Sequence, residues 1–207
     1  DTASAARRGA AGLGETASRL AALWRDKQLQ YTWLRAVQDR HADFWQVTGD
    51  ALDFALDALG VADAARRERL MQLYLTLDAY PEVPAALRQL RDGGLATAIL
   101  SNGSPAMLSA AVEHAGLAEL FDHVLSVEEV GVYKPHPKVY RLACHRLGVA
   151  ADAIAFVSSN GWDAWSASAF GMHAIWCNRQ SLARERLPGA PDHEIRSLVE
   201  LPPLVAA

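Results

Sequence analysis

Three short stretches put reactive side chains where an α/β protein does its chemistry. They are Leu95-Ala96-Thr97-Ala98-Ile99-Leu100-Ser101-Asn102-Gly103, Val132-Tyr133-Lys134-Pro135-His136-Pro137 and Phe156-Val157-Ser158-Ser159-Asn160-Gly161-Trp162-Asp163. The first and last are apolar runs that stop abruptly in small polar residues, and the second places a lysine between them. In an open parallel sheet, ligands bind beyond the carboxyl ends of the strands. Ser101, Asn102, Lys134, Asn160 and Asp163 are therefore expected to converge on one pocket. The chemistry they offer is anion handling. Ser101 and Asn102 meet a helix start capped by Ser104 with Pro105 at its first position, where backbone N–H groups favour a carboxylate or phosphate oxygen. Lys134 is placed to hold a carboxylate ionised and oriented through a charge-assisted hydrogen bond. Asp163 falls in a first helical turn, which the helix dipole favours.

Each feature also has a plainer reading. Ser101-Asn102 is a polar strand end before a cap, Lys134 a solvated loop charge, Asn160 a turn residue and Asp163 a helix-start acid. Arg25 beside Trp24 is on ordinary grounds a solvated helix arginine, and Phe44 and Trp33 core aromatics. Gly12-Leu13-Gly14-Glu15-Thr16-Ala17 matches a dinucleotide fingerprint by letters, but no strand precedes it, as that motif requires. The seven histidines form no metal-ligand spacing, and no Gly-x-Ser-x-Gly elbow is present.

The elements that must position these residues fall into two textures. From Asp1 to about Tyr80 the pattern is helical: Leu20, Leu23, Trp24, Leu34 and Val37, then Phe54, Leu56 and Leu59, then Leu70, Leu73 and Leu77 recur at three-to-four spacing. From Pro81 onward helices and strands alternate. A helix opened by Pro84 and closed by Gly93-Gly94 precedes a buried strand over Leu95–Leu100. A helix from Ser104 to Gly116 leads to a strand over His123–Val127. Pro137 opens a helix closed by Gly148. Further strands are expected over Ala153–Val157, His173–Cys177 and near Glu194-Ile195, with a helix over Trp162–Phe170 and a weak terminal helix broken by Pro202-Pro203. This alternation predicts a Rossmann-like parallel sheet with crossover helices (81–207), carrying an all-helical cap subdomain (1–80).

Composition narrows the function classes. With 207 residues, 51% of them hydrophobic, the chain is long enough for a packed core. A net charge of −4 without a basic stripe argues against a nucleic-acid partner. No apolar run approaches the ~18 residues of a membrane span. Two cysteines, Cys144 and Cys177, fit a reduced, cytoplasmic setting. The start, Asp1-Thr2-Ala3-Ser4-Ala5-Ala6-Arg7-Arg8, has no signal-peptide pattern and no initiator Met, so the chain reads as a piece whose beginning lies upstream.

Ser-Asn-Gly-Ser-Pro at 101–105, Val-Tyr-Lys-Pro at 132–135 with Tyr140 six residues after the lysine, and Phe-Val-Ser-Ser-Asn-x-Trp-Asp at 156–163 resemble the haloacid dehalogenase superfamily, specifically its (S)-2-haloacid dehalogenases. Leu23-Trp24-Arg25-Asp26-Lys27-Gln28-Leu29-Gln30-Tyr31-Thr32-Trp33-Leu34-Arg35 is similar to that family's cap segment. The resemblance implies hydrolytic dehalogenation of short 2-haloalkanoic acids, with an aspartate nucleophile and an aspartyl-ester intermediate. By the same resemblance Arg25 helps abstract the halide, and Leu29, Phe44 and Trp162 line the pocket. Ser101 and Asn102 bind the substrate carboxylate, and Lys134 orients the nucleophile. Ser158, Asn160 and Asp163 support the nucleophile and the hydrolytic water, and Tyr140 supports the site from the following helix. No cofactor and no metal are implied, and a homodimer is.

The family's first strand carries Asp-x-Tyr-Gly-Thr with the nucleophile, and Asp1 matches the residue just past that motif. The first core strand is thus expected upstream of the chain. The 207 residues alone are expected to be inactive, with unpaired edges on the two strands beside the gap. Asp26 stands where the family usually has glutamine. Phosphatase relatives place Gly-Asp-x-x-x-Asp at the last stretch to bind Mg²⁺, a hard cation that prefers carboxylate oxygens. Here the stretch is Ser-Ser-Asn-Gly-Trp-Asp, in which only Asp163 is a carboxylate. A Mg²⁺-dependent phosphatase and a non-catalytic remnant of the fold are the alternatives.

Overall fold

Helix α1 (Glu15–Gln38) owes its packing to one stripe at four-residue spacing, Leu20, Trp24, Gln28 and Thr32, all buried. The structure, a computed structural model, describes residues 14–61 and 63–205. Asp1 and most of the Gly12–Gly14 loop lie outside the described residues, while Gly14 takes a left-handed φ of 53° and precedes α1. The chain forms two compact units: the described parts of Asp1–Tyr80 with Ile99–Tyr133, and Pro81–Ala98 with Lys134–Ala207.

In the first unit, α2 (Phe44–Ala58) and α3 (Ala64–Gln72) each start at an aspartate cap. Asp43 accepts from the Gln46 N–H at 3.0 Å and Asp63 from the Arg66 N–H at 2.9 Å. Leu20 and Trp24 pack on Ala51, Leu52, Ala55 and Leu56 of α2 and on Leu70 and Met71 of α3. Arg67 of α3 grips the Asp53 carboxylate of α2 with two nitrogens, the Nη2 contact at 2.9 Å. Leu34 and Val37, though part of the three-to-four pattern, are 48% and 86% exposed. The helical stripe turns toward Gln28 and Thr32 instead, because these polar groups have hydrogen-bonding partners in the core. This unit also holds β2 (His123–Ser126), which pairs with β1 (Ala98–Ser101), and α5 (Pro105–His114).

The strand expected over Leu95–Leu100 is shorter and less buried. It begins at Ala98, runs to Ser101, and is exposed at Ala98 and half-buried beyond it. The cause is the end of α4 (Val83–Asp92): the Leu95 N–H donates to the Leu90 carbonyl at 3.1 Å, so this amide finishes a helix instead of a ladder. Similarly, Ala151–Ala153 forms a helical turn, and β3 covers Ala155–Ser158 rather than Ala153–Val157.

The second unit is built on β3, β4 (His173–Cys177) and β5 (His193–Ile195), ordered β3-β4-β5 and parallel throughout. β4 lies in the middle and uses both faces. Ile175 and Cys177 pack with Leu90 of α4, Ile195 and Leu201. Trp176, between them, turns to the other face and meets Ala164 and Trp165 of α7 (Gly161–Phe170). α6 (Pro137–Leu147) ends on Gly148, left-handed at φ 69°. The terminal helix α8 (Pro202–Val205) starts at Pro202 rather than breaking there, since proline is preorganised for a first helical position. Among the described residues, β1 and β3 each pair with a strand on one side only.

The segment after β4 runs back along one face of α7. Ser168 Oγ donates to the Ala190 carbonyl at 2.7 Å and accepts from the Ala190 N–H at 3.2 Å. Gly189, at φ 85°, presses so close that an added Cβ would meet the Trp165 carbonyl at 2.5 Å and the Ala169 nitrogen at 2.7 Å.

Two outcomes follow. Gly189→Ala combines a left-handed φ with a backbone clash, so it is expected to destabilise the fold by about 1–3 kcal/mol, read from the urea midpoint. Burial raises the phenol pKa of Tyr74, Tyr133 and Tyr140 in the folded chain, and the charges of Glu128 and Asp163 add to this at Tyr133 and Tyr140. A raised folded pKa favours the fold fully below the unfolded tyrosine value of about 10 and progressively less above it. Burial raises the thiol pKa of Cys144 and Cys177 as well. Urea midpoints measured between pH 8 and 11 should therefore begin to fall above the unfolded thiol value of about 8.5 and fall more steeply above about pH 10, with up to about 1.4 kcal/mol per pH unit from each tyrosine.

Candidate functional site

The site-forming end of the second unit is organised around the Asp163 carboxylate. β3 delivers Ser158 at its last position, the chain turns through Ser159 and Asn160, and α7 begins at Gly161. The turn is held locally: Ser158 Oγ accepts the Asn160 N–H at 3.2 Å, and the Asn160 carbonyl accepts the Asp163 and Ala164 N–H groups, both at 3.1 Å. That geometry aims Asp163 inward. Lys134 Nζ donates to its Oδ2 at 3.0 Å, Ser158 Oγ donates to the same oxygen at 3.0 Å, and the Tyr140 hydroxyl donates to Oδ1 at 2.8 Å. The side chains of Lys134 and Asp163 are 8% and 4% exposed, so this is a buried ion pair completed by two neutral donors.

Aromatic rings wall this cluster. The Lys134 ammonium lies 4.7 Å from the centre of the Phe156 ring. Tyr140, fully buried, packs edge-on against Phe156 at 5.7 Å and against Phe170 at 5.6 Å. Burial and the adjacent Asp163 charge hold the Tyr140 hydroxyl protonated and donating. Four of the sequence candidates, Lys134, Tyr140, Ser158 and Asp163, are thus in direct contact. Asn160 and Trp162, half-buried, flank them at the start of α7. Gly161 between these two is buried under Glu185: an added Cβ would lie 2.9 Å from Glu185 Cγ and 3.0 Å from its Oε1.

The first unit holds the other candidates in separate settings. Ser101 ends β1 and Asn102 follows it in the loop, both half-buried. Ser101 Oγ accepts the Gly103 N–H at 3.1 Å, and buried Ser126 of β2 donates to the Gly103 carbonyl at 2.7 Å, which fixes the loop leading to Ser104 and α5. Phe44 is buried at the start of α2 beside the Tyr133 ring, 6.0 Å between centres, and its N–H donates to Glu128 Oε1 at 3.3 Å. Leu29 is half-buried on α1. Arg25 is not the solvated arginine of the plainer reading: it is half-buried, burial lowers its guanidinium pKa, and Nη1 donates to Gln28 Oε1 at 2.7 Å. Asp26, beside it, is exposed.

Three residues around Arg25 escaped the sequence reading: Gln28, Thr48 and Tyr74. Gln28 Nε2 donates to Thr48 Oγ1 at 2.8 Å and to the Tyr74 hydroxyl at 3.3 Å. The available signal was a polar residue on an apolar stripe, with Gln28 and Thr32 continuing Leu20 and Trp24 at four-residue spacing. Among the described residues no three His, Cys, Asp or Glu side chains are grouped to hold a metal ion.

The comparisons with known proteins agree with this geometry. The haloacid dehalogenase-like hydrolase family matches residues 3–171. The chain is 50% identical over 180 residues to an (S)-2-haloacid dehalogenase of Pseudomonas sp. strain YL, covering 86% of this chain and 78% of that one. It is 42% identical over 207 residues to (S)-2-haloacid dehalogenase 4A of Burkholderia cepacia, covering 100% and 90%. Its structure is similar to that of L-2-haloacid dehalogenase from Xanthobacter autotrophicus with chloropropionic acid covalently bound, at a TM-score of 0.92 and 37% identity, covering 99% of this chain and 93% of that one. With its aspartate-centred cluster and these relatives, the chain belongs to the haloacid dehalogenase-like hydrolases and, among them, to the family of (S)-2-haloacid dehalogenases.

Proposed function

We propose that the protein hydrolyses the carbon–halogen bond of short (S)-2-haloalkanoic acids, giving (R)-2-hydroxy acids through an aspartyl ester. In this reading the attacking aspartate, expected upstream of Asp1, forms a C–O bond to the substrate α-carbon. The carbon–halogen bond breaks, its electron pair leaves on the halide, and the configuration inverts. Water then adds to the ester carboxyl carbon, releasing the hydroxy acid and a proton and restoring the carboxylate. In this reading Arg25 meets the departing halide, Ser101 and Asn102 hold the substrate carboxylate, and Lys134 orients the nucleophile. Ser158, Asn160 and Asp163 serve the nucleophile and the water, Tyr140 steadies Asp163, and Leu29, Phe44 and Trp162 shape the pocket.

The observation that carries the reading is the engagement of Asp163. Three protein donors already occupy its two oxygens, one of them the Lys134 ammonium. Its neighbours Ser158, Ser159 and Asn160 are neutral, so the donor set is a poor match to a hard divalent cation, which needs several free carboxylate oxygens. A monocarboxylate substrate needs less charge neutralisation than a phosphoryl group, so a site without a divalent cation can serve it. The reading extends to a cytoplasmic homodimer. The free thiols Cys144 and Cys177 support a reducing compartment. An exposed apolar face on α1, Trp33, Leu34 and Val37, supports a second copy.

The test is halide release by the full-length protein. Chloride should appear from (S)-2-chloropropionate, with (R)-lactate as the product and little turnover of the (R)-substrate. Dialysis against EDTA should leave the rate unchanged. Loss on chelation with recovery in Mg²⁺ would return the protein to phosphatase chemistry.

A further inference from the structure

We propose that Gln28 is a positioning residue for Arg25, turning the guanidinium toward the halide through a hydrogen-bond chain whose direction is set by Thr48. The inference rests on the halide role given to Arg25 above. Gln28 is fully buried, yet its amide has partners on both sides. Arg25 has only donors, so the atom facing it must be the carbonyl oxygen Oε1. The Nε2 group must then face Thr48 and Tyr74. Thr48 accepts this donor because its own proton is engaged: Oγ1 donates to the Phe44 carbonyl, one turn back on α2, at 2.6 Å. The Tyr74 hydroxyl takes the second amide proton.

The frame around the chain is rigid. Trp24 Nε1 donates to the Thr48 carbonyl at 2.9 Å, locking α1 to α2 at the residue next to Arg25 and one turn before Gln28. The Tyr74 ring packs edge-on against Trp24, 5.1 Å between centres. The network therefore draws on α1, α2 and the turn Leu73–Leu75, and each amide hydrogen-bonding direction has one solution. An amide suits the task. A carboxylate in the same place would orient Arg25 as well but would set a negative charge against the guanidinium that must attract a halide. Gln28 orients it through a neutral oxygen and leaves the positive charge intact.

The experiment compares variants of the full-length protein on (S)-2-chloro- and (S)-2-bromopropionate. Arg25→Ala sets the reference and should nearly abolish turnover. Gln28→Met keeps the volume and removes the acceptor. It should lower kcat on the chloro substrate by about 10–100-fold, with KM within about threefold, as expected when a transition-state contact is misplaced rather than deleted. The loss should be smaller on the bromo substrate, because a better leaving group leans less on Arg25. Gln28→Glu should fall at least as far as Gln28→Met despite its near-identical shape. Near-normal kcat in Gln28→Met, or an equal loss on both halides accompanied by a fallen urea midpoint, would make Gln28 a packing residue and overturn the proposal. If Gln28→Met does not fold, Thr48→Val decides: a loss biased toward the chloro substrate supports the chain, and an unchanged halide ratio overturns it. Full turnover in Arg25→Ala would overturn both the halide reading and this inference, and is distinct from a silent Gln28→Met beside a dead Arg25→Ala.

Discussion

A lysine ammonium under a tenth exposed is tolerable only beside a carboxylate whose own lone pairs are satisfied, and that constraint organises the end of β3. Lys134 and Asp163 meet this condition together with Ser158 and Tyr140. Removing one member of such a buried pair typically costs about 3–5 kcal/mol, because the remaining charge is left without compensation. The cluster therefore ties the ion pair to the local fold. Ser158 both donates to Asp163 and accepts the Asn160 N–H, so the same hydroxyl that fixes the carboxylate also fixes the turn into α7. Tyr140 does likewise on the other side: its hydroxyl holds Asp163 while its ring sits against Phe156 and Phe170.

The two cations given roles in catalysis are held by opposite devices. Lys134 is fixed by charge, in a contact with a full carboxylate. Arg25 is fixed by an amide that is itself fixed by a hydroxyl. A compact ammonium that must stay protonated in a buried place gains from a counter-ion. A guanidinium, protonated in any case, needs direction more than charge compensation.

Much of the second unit was legible in the sequence because the signals are local. An apolar β-branched run ending in Ser158-Ser159-Asn160 and followed by helix-compatible residues marks a strand-to-helix switch, and Lys134 sits just before a proline-started helix. What was misread turned on where backbone hydrogens go. Hydrophobicity alone extended β1 back to Leu95, whose amide closes α4 instead. Three-to-four spacing marks Leu34 and Val37 together with Leu20 and Trp24, while the buried stripe continues through Gln28 and Thr32. The Arg25 network was hidden because its partners lie 20 and 46 residues from Gln28 in sequence, and only folding brings Thr48 and Tyr74 to it.

Two glycines lie along the face of α7 that receives the segment after β4, and they differ in how freely they can drift. At Gly161 the obstacle to a side chain is the flexible end of Glu185, which can swing away. At Gly189 the obstacle is the backbone of α7 itself, at a left-handed φ. The first position is thus negotiable between two residues: an alanine can arrive at 161 once residue 185 shortens or turns outward, and a long acid can settle at 185 only while 161 stays bare. The second is not negotiable without moving the helix. Over evolutionary time positions 161 and 185 should change as a pair, next to Asn160 and Trp162, while position 189 stays still. The start of α7 can then be retuned in small steps on a segment whose far end remains anchored.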